Sequence, residues 1–285
     1  MAGKISYESF HRAMFEAKDI DPSILCLKYL ADRFELNIEQ RYWISFLYGC
    51  TYCAPTVFYI YNEFPDYQNI DMKRMSAWWD KNKSSLIFQT DRLRIKSNDQ
   101  FISAVESYKS LCGNSQRNFL NQKSVSKIYD TILKIKFFGR FSLFNYLDVL
   151  NSITDIEAEP RYLNMQEAVS CRNGVAYSVD RLDLMNHTSK NKLNKADLEL
   201  LHNKFVQYLR SKDYAGNVFQ IETTLCAYKK YRLGKRYVGY YIDRMYTEIK
   251  KIEKLIPQGV FWNVLWEFRT ETFDKKYLRE YNDNI

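Results

Sequence analysis

Hydrophobic positions recur every three to four residues along most of the chain, the spacing that lines one face of an α-helix. Phe10, Met14 and Phe15 mark the first stripe, over about 6–17. Ile24, Leu27, Leu30 and Phe34 mark the next. It lies behind Pro22, whose fixed φ and missing N–H suit a first helical position. Residues 39–64 are the most apolar stretch, with Tyr42, Trp43, Phe46 and Leu47 followed by Val57, Phe58, Ile60 and Tyr61. This predicts a buried helix pair with Pro55 at a start or kink. It closes at Phe64-Pro65, since a proline disfavours helix in the residue before it. Asp71 caps a predicted helix over 71–82, and Phe101, Val105, Tyr108 and Leu111 define one over 98–112. Residues 116–119 read as a connection into a helix over 124–135.

Further on, residues 128–150 read helix, short glycine-containing connector at 136–142, helix. A stripe at Leu198, Leu201, Phe205, Tyr208 and Leu209 lies within 190–210, and an amphipathic helix is expected over 262–273. Between them, Thr223 or Thr224 is the candidate cap of a short helix to Tyr231. Gly234 suits the left-handed position that ends it. A second helix follows over about 236–255, with Ile242, Met245, Ile249 and Ile252 on its apolar face. With only nine Gly and five Pro among 285 residues, the expectation is a mainly all-α fold. The length suits one helical catalytic domain, 1–285, or two packed lobes of about 1–125 and 126–285.

Composition narrows the partners. Lys and Arg number 42 against 34 Asp and Glu, for a net charge of +8, and 23 residues are Tyr. Cations neutralise phosphates and flat rings stack on bases, so a polyanion such as nucleic acid is the expected partner. No apolar run reaches the roughly 20 residues of a membrane span, and the start of the chain lacks a secretion signal. A cytoplasmic location is expected, the host's cytoplasm if the protein is viral. Six cysteines in such a chain read as thiols. Cys50 and Cys53 form one C-x-x-C pair, but no second pair follows at zinc-site spacing. No phosphate-binding loop of the G-x-x-x-x-G-K-[ST] type occurs, nor a dinucleotide G-x-G-x-x-G.

Three stretches carry candidate chemistry. Residues 222–244 interleave Lys229, Lys230, Arg232, Lys235, Arg236 and Arg244 with five tyrosines, behind Glu222. A carboxylate beside clustered cations suits a site that binds phosphate and moves a proton; a solvated basic helix face would give the same pattern. The connector with Phe138, Gly139, Arg140 and Ser142 suits a helix-hairpin-helix, in which backbone N–H groups at a helix start hold a DNA phosphate. An ordinary helical hairpin is its alternative. Arg172, beside the Asn173-Gly174 turn, is a further candidate phosphate ligand or a surface arginine.

Several short pieces, in order, resemble one family. They are Tyr42-Trp43 with Phe46-Leu47-Tyr48-Gly49 and Thr51-Tyr52-Cys53, then Asn62-Glu63-Phe64-Pro65 and Gln89-Thr90-Asp91. Phe138-Gly139-Arg140 with Ser142, and Arg172-Asn173-Gly174, follow. Glu222 to Cys226 with Lys229-Lys230, and the run from Arg236 to Arg244, complete the set. Together they resemble the amino-acid:DNA transferases, also named α-glutamyl/putrescinyl thymine pyrophosphorylases, which build hypermodified thymine in mostly viral DNA.

The resemblance implies a fold like the helical DNA glycosylases. It implies duplex DNA in which 5-hydroxymethyluracil carries a pyrophosphate, displaced by an amine from an amino acid or a polyamine. Arg172, Lys229, Lys230 and Arg236 are then the candidates to neutralise the leaving pyrophosphate. Glu222 is the first candidate base for the incoming amine and Glu63 the second. Tyr48, Tyr52, Tyr237 and Tyr240 are candidates to line a pocket for a flipped base. Cys226, near cations that favour a thiolate, is a candidate nucleophile toward C6 of the pyrimidine or a structural thiol. The sequence holds no dedicated carboxylate cluster for a metal, and Mg2+ chelated by the pyrophosphate is the cofactor to consider. Two other classes fit the same composition: a helical DNA glycosylase, for which Asp148 follows the hairpin, and a non-catalytic DNA-binding protein.

Overall fold

The structure, a computed structural model, describes residues 5–90, 93–120, 124–159, 200, 204, 207, 209, 211, 216–256, 261–278 and 281. Every regular element among the described residues is helical. The helices are α1 (Tyr7–Glu16), α2 (Pro22–Arg33), α3 (Ile38–Thr51), α4 (Ala54–Glu63), α5 (Met72–Asn82) and α6 (Asn98–Cys112). There follow α7 (Gln116–Leu120), α8 (Val125–Ile132), α9 (Arg140–Ile153), α10 (Val218–Arg232), α11 (Tyr240–Leu255) and α12 (Phe261–Thr272). The Asn173-Gly174 turn, with Arg172, and most of the stripe expected within 190–210 lie outside the described residues.

The chain divides into two compact units. One comprises Met1–Pro22, Glu159–Arg244 and Thr270–Ile285; the other comprises Ser23–Ala158 and Met245–Arg269. The division falls within α11, so its first turn is described with the first unit and the rest with the second.

The second unit is built on α3. Its helix begins at Asn37, which shares reciprocal side-chain bonds with Gln40, and ends at Tyr52 in the left-handed conformation. Pro55 sits in the first turn of α4, where its missing N–H costs nothing. α3 packs against α4, α7 and α9, and α5 against α6. The core is aromatic: the Phe46 ring stacks on Tyr108 at 4.1 Å and on Phe138 at 5.4 Å. The Tyr108 and Tyr146 hydroxyls meet at 3.0 Å, and Tyr108 donates to Gln116 Oε1 at 2.7 Å. A Cβ at Gly49 would stand 3.0 Å from Tyr146 Cβ and 3.1 Å from Phe138 Cζ. Glycine is therefore what allows α9 and the hairpin before it to approach α3 so closely.

Residues 116–119, expected to be a connection, form α7. Tertiary bonds override the local signal here: Gln116 donates from its amide to the Glu39 carbonyl at 2.7 Å and from its backbone N–H to Glu39 Oε2 at 3.1 Å. The helix expected over 124–135 ends at Ile132 and gives way to turns.

In the first unit, α1 lies along α10. Phe10 meets Tyr231 at 4.8 Å, and Tyr7 meets Tyr228 edge-on at 5.5 Å. The cap of α10 is Asn217, bonded reciprocally with Gln220, not Thr223 or Thr224. Thr224 is buried mid-helix, where its hydroxyl meets Tyr7 Oη at 2.9 Å and His11 Nδ1 at 2.8 Å. Gly234 does end this helix, at φ +70°. Lys235 N–H bonds Lys230 O and Gly234 N–H bonds Tyr231 O, each at 2.9 Å, the paired bonds of a Schellman ending.

α11 starts at Tyr240 rather than near Arg236, because Gly239 at φ +102° interrupts the helical path. Its cap comes from far along the chain. The Asp19 carboxylate accepts from the backbone N–H of Gly239 at 2.7 Å, Tyr241 at 2.9 Å and Ile242 at 3.0 Å.

Candidate functional site

In the first unit the chemistry gathers on α10. Four residues advance a helix by just over one turn, so Glu222 and Cys226 share a face with Lys229 and Lys230 beyond them. Glu222 is buried, and Cys226, half-buried, donates its S–H to Glu222 Oε1 at 3.0 Å. Lys229 is half-buried and Lys230 exposed. The helix C-terminus carries partial negative charge, which favours cations in this last turn.

Arg236 lies beyond the helix end. Its guanidinium stacks over Tyr240 at 4.2 Å and Tyr241 at 4.4 Å. Its Nη1 is buried and has no hydrogen-bond partner, a group whose capacity an anion would satisfy. Arg236 also bears on Asp19. Burial pushes the Asp19 carboxyl up to about 7, against the pull of its three backbone donors and of Arg236. Tyr237 is exposed, donates its hydroxyl to the Asp243 carboxylate and meets Tyr240 edge-on at 5.8 Å.

In the second unit the hairpin expected at 136–142 takes definite form. Phe137 adopts φ +62° and Phe138 is buried in the core. Gly139 is the N-cap of α9, and no side chain caps that helix. Glycine leaves room here for the Arg94 guanidinium, whose Cζ would lie 3.7 Å from a Cβ at 139. Arg140 is exposed, while Ser142 is buried in the first turn. Two exposed arginines at a helix start favour an anion by charge and by backbone dipole together.

Phe141, in the same turn, meets Tyr52 edge-on at 5.5 Å, and Tyr52 meets Tyr48 at the same distance. Tyr48 is fully buried and serves the core; Tyr52 is half-buried. Cys53 follows as the N-cap of α4, fully buried, and donates its S–H to Glu248 Oε2 at 3.9 Å. The same oxygen accepts the Gln89 amide N–H at 2.8 Å. Thr56 fixes the segment that leads to Gln89, exchanging bonds with the Ile87 carbonyl and N–H, each at 3.0 Å. Glu63 is engaged elsewhere, in an ion pair with Arg74.

The structure thus brings together Glu222 and Cys226, Tyr48 and Tyr52, Tyr237 and Tyr240, and the four hairpin residues. Glu63 and Glu222 belong to different units, as do the two tyrosine pairs. Arg172 lies outside the described residues. Three features had no role in the sequence reading: Asp19, Glu248 and the bond that joins Glu248 to Gln89. Gln89 stands inside a family-like piece, which is the one signal that pointed there.

Comparison with known proteins supplies the family. A sequence model described as "Amino acid:DNA transferase" matches residues 16–237. A "Serinyltransferase" of Salmonella phage ViI is 31% identical over 265 residues, covering 82% of this chain and 64% of that protein. The chain therefore spans just under two thirds of the length of this curated relative. Among the described residues no helix is long and apolar enough to cross a membrane.

Proposed function

The chain belongs to the amino acid:DNA transferase family, and on that premise we propose that it joins an amine to a pyrimidine in DNA by displacing pyrophosphate. The substrate in this reading is 5-pyrophosphoryloxymethyluracil in duplex DNA. The C–N bond forms as the bond from the methylene carbon to the pyrophosphate oxygen breaks, and pyrophosphate leaves with that electron pair. The donor amine is protonated at neutral pH and must lose a proton before it can attack.

The observation that carries this reading is the buried Glu222 carboxylate, hydrogen-bonded to Cys226 on a helix whose last turn holds Lys229 and Lys230. Glu222 takes the amine proton. Arg236, with a buried nitrogen lacking a partner, and the two lysines neutralise the leaving group. Cys226 donates to Glu222 and so favours the charged carboxylate; deprotonated by it, the same thiol is the candidate for addition at C6. The start of α9, with Arg140, holds a DNA phosphate, and Tyr52 offers a ring to an extruded base. The relative's name makes serine the first donor to offer; polyamines are the second class. Mg2+, if required, is brought by the pyrophosphate.

The test is mass spectrometry of nucleosides. The protein is incubated with DNA carrying 5-pyrophosphoryloxymethyluracil and a mixture of serine, other amino acids and polyamines, and the DNA is digested. An aminated thymidine with released pyrophosphate is the expected product. An untouched base on DNA that the protein binds would sink the enzymatic reading, and abasic sites would turn it into a glycosylase.

A further inference from the structure

We infer that Phe137 is a wedge: its ring enters the base stack of duplex DNA at the step that the target nucleotide leaves. This rests on the reading above that the target base is extruded from duplex DNA. It does not depend on which residues carry the chemistry on that base.

Phe137 is the third residue of a four-residue turn, which the Phe138 N–H closes onto the Ile135 carbonyl at 3.1 Å. Its φ is +62°. A turn with positive φ at this place calls for glycine or asparagine, because a bulky side chain is strained in the left-handed region. Among the described residues, Lys18, Glu35 and Tyr52 also have positive φ without being glycine, and each stands just past a helix C-terminus. There the left-handed conformation is a common way for a helix to stop. Phe137 has no such setting, since α8 ends earlier, at Ile132.

Strain of this kind persists where the surroundings hold it, and it gathers at functional places. The surroundings hold it here. Ile135 and Phe138, on either side, are buried, and Phe138 stacks on Phe46. Ser107 of α6 grips the backbone between them: its hydroxyl donates to the Lys134 carbonyl at 3.5 Å and accepts the Lys136 N–H at 3.1 Å. Between these anchors Phe137 stays 41% exposed. A ring presented on a fixed backbone has little freedom left to lose when it inserts.

The charges nearby name the partner. Lys134, Lys136 and Arg140 are exposed and lie within three residues of Phe137 in the chain. The exposed Arg94 guanidinium stands beside Gly139. No acidic residue occurs in the chain between Asp130 and Asp148. An exposed ring set among cations suits a polyanion whose interior is stacked rings. The cations take the backbone phosphates, and the ring takes the place between two bases.

The experiment compares binding to two duplexes of one sequence. One is unmodified; the other has a tetrahydrofuran abasic residue at its centre, a gap that a ring can fill without unpairing a base. Phe137→Ala is expected to weaken binding to the gapped duplex by about fivefold or more, the loss of one stacking contact. Binding to the unmodified duplex, held by phosphates, should weaken by less than about twofold. Phe137→Asn, whose side chain tolerates the left-handed turn, should behave the same way, and Phe137→Trp should keep the wild-type affinities. The slope of log affinity against log salt should stay as it is, since no phosphate contact is removed. Thermal melting separates misfolding from lost stacking, and Phe137→Asn decides the question if Phe137→Ala does not fold. A loss below about twofold on the gapped duplex, or equal losses on both, overturns the inference. So does a shallower salt slope, which would mean that Phe137 only holds the neighbouring cations in place. Each of these leaves the transferase reading intact, whereas a wild-type protein that binds neither duplex removes both.

Discussion

Among the described residues, each unit has a cysteine that donates to a glutamate, and the two pairs are built in opposite ways. Cys226 and Glu222 are four residues apart on one helix, 3.0 Å from each other. Cys53 and Glu248 are 195 residues apart and 3.9 Å from each other. The first thiol is half-buried next to cations; the second is fully buried, and its carboxylate also holds an amide. A pair set by helical periodicity keeps its geometry whenever the helix forms, which suits a group that must change charge. A pair set by tertiary packing exists only once distant segments have met, which suits holding another side chain in one orientation.

The comparison is sharpest in turnover. Glu222→Gln is expected to slow amine transfer by 100-fold to about 10,000-fold, the range of a lost general base, while DNA binding stays nearly unchanged. Glu248→Gln should cost far less on the uracil substrate. Steady-state rates of the two variants check this, and the reverse order would exchange the roles of the two pairs.

Next in size is the pH dependence of the first unit. The folded Asp19 carboxyl stands near 7 against an ordinary value of 3.8, so protonation favours the folded state. That stabilisation is complete below about pH 4 and is lost as pH rises through 7. Relative to Asp19→Asn, the wild type should lose roughly 1 kcal/mol per pH unit across this window. Chemical denaturation at pH 5, 6 and 7 measures it, and a constant difference between the two proteins would contradict it.

Smaller effects separate the thiols. Cys53→Ser should lower stability by about 1–2 kcal/mol, since a buried site receives a more polar group. Cys226→Ser, half-exposed, should stay within about 0.5 kcal/mol. Denaturant midpoints give both values, and turnover of Cys226→Ser reports directly on C6 addition. The smallest change belongs to the hairpin. Arg140→Ala should make the dependence of log affinity on log salt shallower by about one unit, equally for all sequences. An unchanged slope would take the hairpin out of the DNA interface.

What the sequence made legible follows the same divide. The stripes of Tyr42 to Tyr61 and of Phe101 to Leu111, the Asp71 cap and the glycine at the head of α9 are local signals, and each has its counterpart in the structure. Glu222 stood out because its cations follow within two turns. Asp19, Glu248 and the helical form of α7 were illegible, because each depends on a partner that periodicity does not specify. The misplaced starts of α10 and α11 have the same origin. Asn217 lies ahead of both threonines weighed as caps, and the cap of α11 is supplied by Asp19, 220 residues before Gly239.

That last contact has a consequence for synthesis. Asp19 leaves the ribosome 220 residues ahead of the Gly239 amide it binds, a wait of roughly 10–40 s at about 5–20 residues per second. Through that interval α1 has no α10 to cover Phe10 and Tyr7, and Asp19 stays in water with its ordinary acidity. The first unit therefore cannot close before α10 and the start of α11 have been made, and until then α1 is an apolar helix in need of cover.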